Sequence, residues 1–150
     1  MNLPSDFVDL LAAFEDAEVE YLLVGGYAVA FHGAPRFTKD IDVLIRDTSE
    51  NVARVERALT AFGAPQSTLD AVRALSGLDV AWLGNPPLRI DIMKTIPGAS
   101  FDQLAKSKST FAWGKVQVSV IGREDLIHTK RVSGRPQDIV DADLLSHGAT

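Results

Sequence analysis

No cysteine occurs anywhere in the 150 residues. That absence removes disulfides, thiolate metal ligands and a cysteine nucleophile together, and it fits a reducing compartment. Any metal chemistry must therefore use oxygen or histidine, and there are only three histidines. Long apolar runs are also missing, since no segment approaches the roughly 20 residues that a membrane-spanning helix needs. The opening stretch, MNLPSDFVDLLAAFEDAE, carries acids through its apolar part, unlike a secretory signal. A cytoplasmic protein without a membrane partner is the expectation. Basic residues are outnumbered, 15 Lys and Arg against 20 Asp and Glu, for a formal net charge of −5. That balance argues against extended nucleic-acid binding, whose affinity comes mainly from cations neutralising phosphates. Short phosphate contacts stay open at Arg36 and Lys39 and at Lys130, Arg131 and Arg135. Internal repeats, low-complexity tracts and linkers are absent too, so residues 1–150 are expected to form one domain. With 46% apolar and 23% charged residues, the chain has the composition of a globular protein that folds by burial.

The patterning then gives elements. Phe7, Leu10, Leu11 and Phe14 recur at helical spacing, predicting an amphipathic helix capped by Ser5 and ending near Ala17. Tyr21 to Val24 reads as a buried strand, Gly25-Gly26 ends it, and Tyr27 to His32 reads as a short helix closed by Gly33 and Pro35. Asp40 to Ile45 is a second strand. Thr48 or Ser49 can cap a helix that faces Val52, Val55, Leu59 and Phe62 inward and closes at Gly63. Another short helix is predicted from Thr68 to Leu75, with strands at Val80 to Leu83 and Leu88 to Met93. A helical turn at Phe101 to Ala105 precedes a hairpin of Phe111 to Trp113 with Val116 to Val120. Helices around Glu124 to Val132 and from Pro136 to Ser146 complete the chain. Strands and helices mix without strict βα alternation, which favours an α/β (α+β) fold with helices packed on a mixed sheet. Trp82 and Trp113 read as core or edge packing, with base stacking as an alternative that nothing in the sequence supports, and His32 as a capping or packing residue.

Three features carry chemistry. In Asp40-Ile41-Asp42 the two carboxylates share one strand face, a few ångströms apart, and repel unless a cation sits between them. Hard divalent ions such as Mg²⁺ favour such oxygen ligands and complete their shell from a substrate's phosphates. Gly25-Gly26 stands ahead of a helix, where free backbone N–H groups hold phosphate oxygens. Asp91 lies in the apolar strand Leu88-Arg89-Ile90-Asp91-Ile92-Met93. Each has an ordinary reading alone: a solvated strand edge, a plain turn, and an acid pointing to water.

Their order and spacing resemble the polymerase-β-like nucleotidyltransferase superfamily, marked by a Gly-Gly or Gly-Ser turn, a short helix, D-x-D and a third acid. Within it, the segment GGYAVAFHGAPRFTKDID is most similar to the small bacterial AbiEii-like nucleotidyltransferases. The tail, Leu126-Ile127-x-x-Lys130 followed by Arg135-Pro136-x-Asp138-x-x-Asp141 and Leu144, resembles that group's closing element. Two positions depart from it. Gly26 stands where many members carry Ser, and Gln137 where a basic residue is usual.

The resemblance implies a nucleotidyltransferase fold and a Mg²⁺-dependent transfer of a nucleoside monophosphate from an NTP to a hydroxyl. Asp40, Asp42 and Asp91 would hold two Mg²⁺ ions, with Asp91 also placed to accept the hydroxyl proton. Gly25 and Gly26 would cradle the β and γ phosphates. Arg36, Thr38 and Lys39 would orient phosphates or acceptor, and Lys130 would act on the departing pyrophosphate rather than in the fold. Arg135 with Asp138 or Asp141 reads equally as a structural salt bridge. The acceptor stays open among a tRNA end, a protein side chain and a small molecule. So do a toxin–antitoxin connection and a partner subunit that completes the acceptor site. The alternative is a non-catalytic nucleotide-binding or toxin–antitoxin partner module of the same fold.

Overall fold

A computed structural model describes residues 4–34, 38–84 and 88–147. Six strands form one mixed sheet: β1 (Tyr21–Val24), β2 (Asp40–Ile45), β3 (Val80–Leu83), β4 (Arg89–Met93), β5 (Ser109–Trp113) and β6 (Val116–Val120), in the order β3-β4-β2-β1-β6-β5. Neighbours β2 and β4 run parallel, as do β1 and β6, while the other three pairs are antiparallel. The expected mixed sheet is present.

The helices are α1 (Ser5–Asp16), α2 (Gly25–Phe31), α3 (Ser49–Phe62), α4 (Gln66–Ala74), α5 (Phe101–Lys106), α6 (Arg123–Ser133) and α7 (Pro136–His147). The apolar stripe of α1 buries Phe7, Leu10, Leu11 and Phe14, and Phe14 meets Tyr21 edge-on at 5.3 Å. One face of the sheet is consistently apolar: Ile41, Val43, Ile90, Ile92 and Ala81 are all buried. Alternation then turns Asp40, Asp42, Arg89 and Asp91 to the other face.

Asn51 ties this architecture together. Fully buried, it accepts from the Glu20 N–H (2.8 Å) and donates to the carbonyls of Glu20 and Arg46 (both 2.9 Å). One side chain thus satisfies backbone groups just before β1 and just after β2, groups that would be costly to leave unpaired.

Several boundaries differ from the sequence reading. Ser5 does not cap α1. Pro4 takes the N-cap position, its carbonyl accepting from the N–H groups of Phe7 and Val8, and Ser5 falls in the first turn. The α2 helix begins at Gly25 rather than Tyr27, and α4 at Gln66 rather than Thr68, because Pro65 supplies its extended N-cap. Thr48 does cap α3, its side chain accepting from Asn51 N, and Gly63 closes that helix with φ +102°. Trp113 packs against Phe31, whereas Trp82 on edge strand β3 is 63% exposed.

Candidate active site

Parallel pairing of β2 with β4 sets Asp40 beside Arg89 and Asp42 beside Asp91. Residues in register on neighbouring strands share a face about 4.8 Å apart. The sheet therefore presents a square of four charged side chains, three acids and one guanidinium. Arg89 Nε lies 2.9 Å from Asp91 Oδ1, and Arg89 NH2 lies 3.4 Å from Asp40 Oδ2. Asp91's hydrogen bond and negative charge keep Arg89 firmly protonated.

Burial pushes the Asp42 carboxyl up to about 7, the neighbouring charges of Asp91 and Asp40 push the same way, and Lys130 opposes them. Asp42 also presses on the first turn of α2. Gly25 has φ +69°, and a Cβ there would collide with the Asp42 carboxylate. Only glycine meets both conditions at once.

From Asp42 a cleft opens toward the C-terminal helices. Its walls include Val24, Gly25 and Asp42 on the sheet side and Thr129, Lys130 and Arg135 on the other. Lys130 is buried, with Nζ 2.9 Å from Asp141 Oδ2 and 3.3 Å from Asp138 Oδ1. It therefore has a part in the fold that the sequence reading did not give it. Arg135 Nε binds Asp138 Oδ2 at 2.9 Å, and Gln137, at the usually basic position, donates to Asp141 Oδ1 at 2.9 Å. Burial works against charge on Asp138. Hydrogen bonds from Ser133 and Arg135, with the charge of Lys130, nevertheless hold its pKa below the usual carboxylate value.

The other expected residues fall around this centre. Gly26 is buried in the first turn of α2. Thr38 donates its hydroxyl to the Asp40 carbonyl (3.1 Å), so it shapes the entry to β2, and Lys39 is exposed beside it. Arg36 lies outside the described residues. His32 donates a ring N–H to the Ile121 carbonyl (2.7 Å) and packs on Phe111, which is a packing role. Sequence reasoning did not assign Arg89 to the site. Its signal was there, two residues before Asp91 on the same strand face.

The donor set suits a hard divalent cation. It offers carboxylate oxygens, with Asp42 and Asp91 side by side in register and Asp40 on the same face. Among the described residues no three such side chains already stand in ligating geometry. Instead, Arg89 supplies positive charge between Asp40 and Asp91. No described helix is long and apolar enough to cross a membrane.

A family model described as "Nucleotidyl transferase AbiEii toxin, Type IV TA system" matches residues 9–149. Among curated protein sequences none matches the chain. Solved structures of similar fold include the lincosamide antibiotic adenylyltransferase LnuA with lincomycin bound, at 16% identity and a TM-score of 0.60, covering 97% of both chains. ANT(2″)-Ia in complex with adenylyl-2″-tobramycin is similar at 15% identity and a TM-score of 0.58, covering 95% of this chain and 86% of that one. A Thermotoga maritima protein assigned as a nucleotidyltransferase matches at 15% identity and a TM-score of 0.60, over 93% of this chain and 88% of that one. At these identities the likeness establishes the nucleotidyltransferase fold.

Proposed function

The chain belongs to the AbiEii nucleotidyl transferase family, and from that premise we propose that it moves a nucleoside monophosphate from an NTP to an acceptor hydroxyl. The observation that carries this reading is the in-register pairing of Asp42 with Asp91, Asp42 itself standing on the wall of a cleft that Gly25 and Lys130 also line. Backbone N–H groups at Gly25 and Gly26 receive the triphosphate. Lys130, already inside the cleft, offsets the charge gathering on the leaving pyrophosphate. Arg36, Thr38 and Lys39, which precede the acids in the sequence, guide phosphates or acceptor.

In the transfer, the acceptor oxygen forms a bond to the α-phosphorus, and the bond from that phosphorus to the oxygen bridging to the β-phosphorus breaks. Pyrophosphate leaves with the electron pair, and the hydroxyl proton passes to a carboxylate oxygen of Asp91. Asp40, Asp42 and Asp91 are the residues that would hold one or two Mg²⁺ ions. When bound, the metal supplies neutralising charge at the attacking and leaving oxygens. Charge neutralisation would also relieve the repulsion from Asp91 and Asp40 that adds to burial in lifting Asp42, and three acids on one face suit catalysis better than a pure binding module.

The family description, a toxin of a type IV system, supports a partner antitoxin chain. Pyrophosphate release measured with each NTP, with and without Mg²⁺, against cell extract and tRNA, tests the reading. Mg²⁺-dependent release stimulated by one fraction is expected. No release with any NTP would leave the protein a binding module.

A further inference from the structure

The sheet face that carries the acids is covered unevenly. Toward β1 it narrows into the cleft walled by Val24, Gly25 and Lys130, and Val24, in register with Asp42, is only 5% exposed. Toward β3 it is open, since Val80 and Trp82 are 42% and 63% exposed. The opposite face of those strands is sealed, with Ala81, Ile90 and Ile92 buried. Trp82 pairs with Asp91 across β3 and β4, and Asp91 pairs with Asp42 across β4 and β2. A single row thus crosses the sheet as Val24, Asp42, Asp91, Trp82. At strand spacing, the indole is rooted about 5 Å from Asp91 and about 10 Å from Asp42.

We propose that Trp82 is the acceptor platform, stacking on the ring that bears the attacking hydroxyl. The inference rests on the transfer reading above. If the triphosphate lies against Gly25 and Lys130, the leaving pyrophosphate departs on the β1 side of Asp42. In-line displacement then requires the attacking oxygen on the opposite side, over Asp91 and toward β3. The first side chain beyond Asp91 in that direction is Trp82. An exposed indole offers a flat apolar face that holds a base by stacking or a sugar through its C–H face. The acceptor class is therefore a ring-borne hydroxyl, on a nucleic-acid end or on a glycoside. A serine or threonine side chain gives the indole nothing to stack on.

The test uses the full chain with Mg²⁺ and its preferred NTP, offered total cellular RNA, amino-sugar glycosides or cell protein in separate arms. RNA or a glycoside is expected to stimulate pyrophosphate release, and the responding arm identifies the source of the ring. With that acceptor, Trp82→Ala should raise the acceptor KM roughly tenfold or more, on the scale of a lost stacking contact, with the change concentrated there rather than in the KM for NTP. Trp82→Phe should restore most of the loss. In a Trp113→Phe background, where Trp82 is the sole indole, the same acceptor should quench fluorescence without Mg²⁺. An unchanged acceptor KM in Trp82→Ala would overturn the proposal. So would transfer confined to serine or threonine in the protein arm, or a dimer of the unaltered chain that Trp82→Ala dissociates. Absence of any Mg²⁺-dependent release by the unaltered protein would fell the transfer reading, and the role of Trp82 with it.

Discussion

Replacing Asp42 by Asn is expected to stabilise the metal-free protein by an amount that grows with pH. The Asp42 carboxyl ionises near 3.8 in an unfolded chain and at about 7 in the fold. Below the first value both states are protonated, and the group costs the fold nothing. Between the two values the native state keeps a proton that the unfolded state has released, so unfolding free energy falls by about 1.4 kcal/mol per pH unit. Above the second value both are ionised, and the accumulated penalty levels off at about 4 kcal/mol. Burial is the chief cause, the neighbouring charges of Asp91 and Asp40 add to it, and Lys130 opposes them. An amide at position 42 stays neutral throughout. Urea unfolding of both proteins without metal should show the gain from Asp42→Asn rising by about 2 kcal/mol between roughly pH 5.5 and pH 8. Adding Mg²⁺ should stabilise the unaltered protein at the higher pH and leave the variant almost unmoved, because the cation then does what the proton did. A gain independent of pH, or a variant less stable than its parent at pH 8, would refute the argument that the buried, crowded carboxylate at position 42 resists ionisation. Turnover of Asp42→Asn should be abolished.

Other substitutions probe the neighbouring contacts. Lys130→Ala leaves Asp138 and Asp141 without their shared cation, so thermal unfolding should reveal a loss of about 3–5 kcal/mol, with activity per folded molecule also falling. Gly25→Ala combines a left-handed backbone with the Asp42 collision, and should cost about 1–3 kcal/mol in urea unfolding and eliminate turnover. Arg89→Gln removes the cation facing Asp40 and Asp91. Calorimetric titration with Mg²⁺ alone should then show tighter binding than in the unaltered protein, and unchanged affinity would show that Arg89 does not compete for those carboxylates.

The acids were legible because strand alternation is written directly in sequence: Asp40 and Asp42 had to share a face, and Asp91 sat among residues that had to point the other way. What was illegible depended on strand order and register. Nothing local in Val80–Leu83 says that Trp82 will stand beside Asp91 on an open face, so packing was the natural reading for an indole. Lys130 was read by likeness as a phosphate contact. Its ion pairs arise because a glycine break folds α7 back against α6, bringing Asp138 and Asp141 within reach. The starts of α1 and α4 were misplaced because prolines took the N-cap positions, and that of α2 because the Gly pair opens the helix instead of ending the strand ahead of it.

The pairing of β2 with β4 has a consequence for how the site is specified. A slip of two residues would keep Ile90 and Ile92 on the buried face, so hydrophobic patterning cannot by itself distinguish the native alignment from its nearest competitors. The charges can. Shifted one way, Arg89 would face Asp42 and Asp91 would face Leu44. Shifted the other way, Asp91 would face Asp40 while Asp42 lost its partner. Only the observed alignment sets the guanidinium opposite Asp40 and Asp42 opposite Asp91 at once. The cross-strand contact of Arg89 with Asp40 is thus the signature of the one strand alignment that sets two like charges, Asp42 and Asp91, side by side, an arrangement that is unfavourable in itself and suits a bound cation.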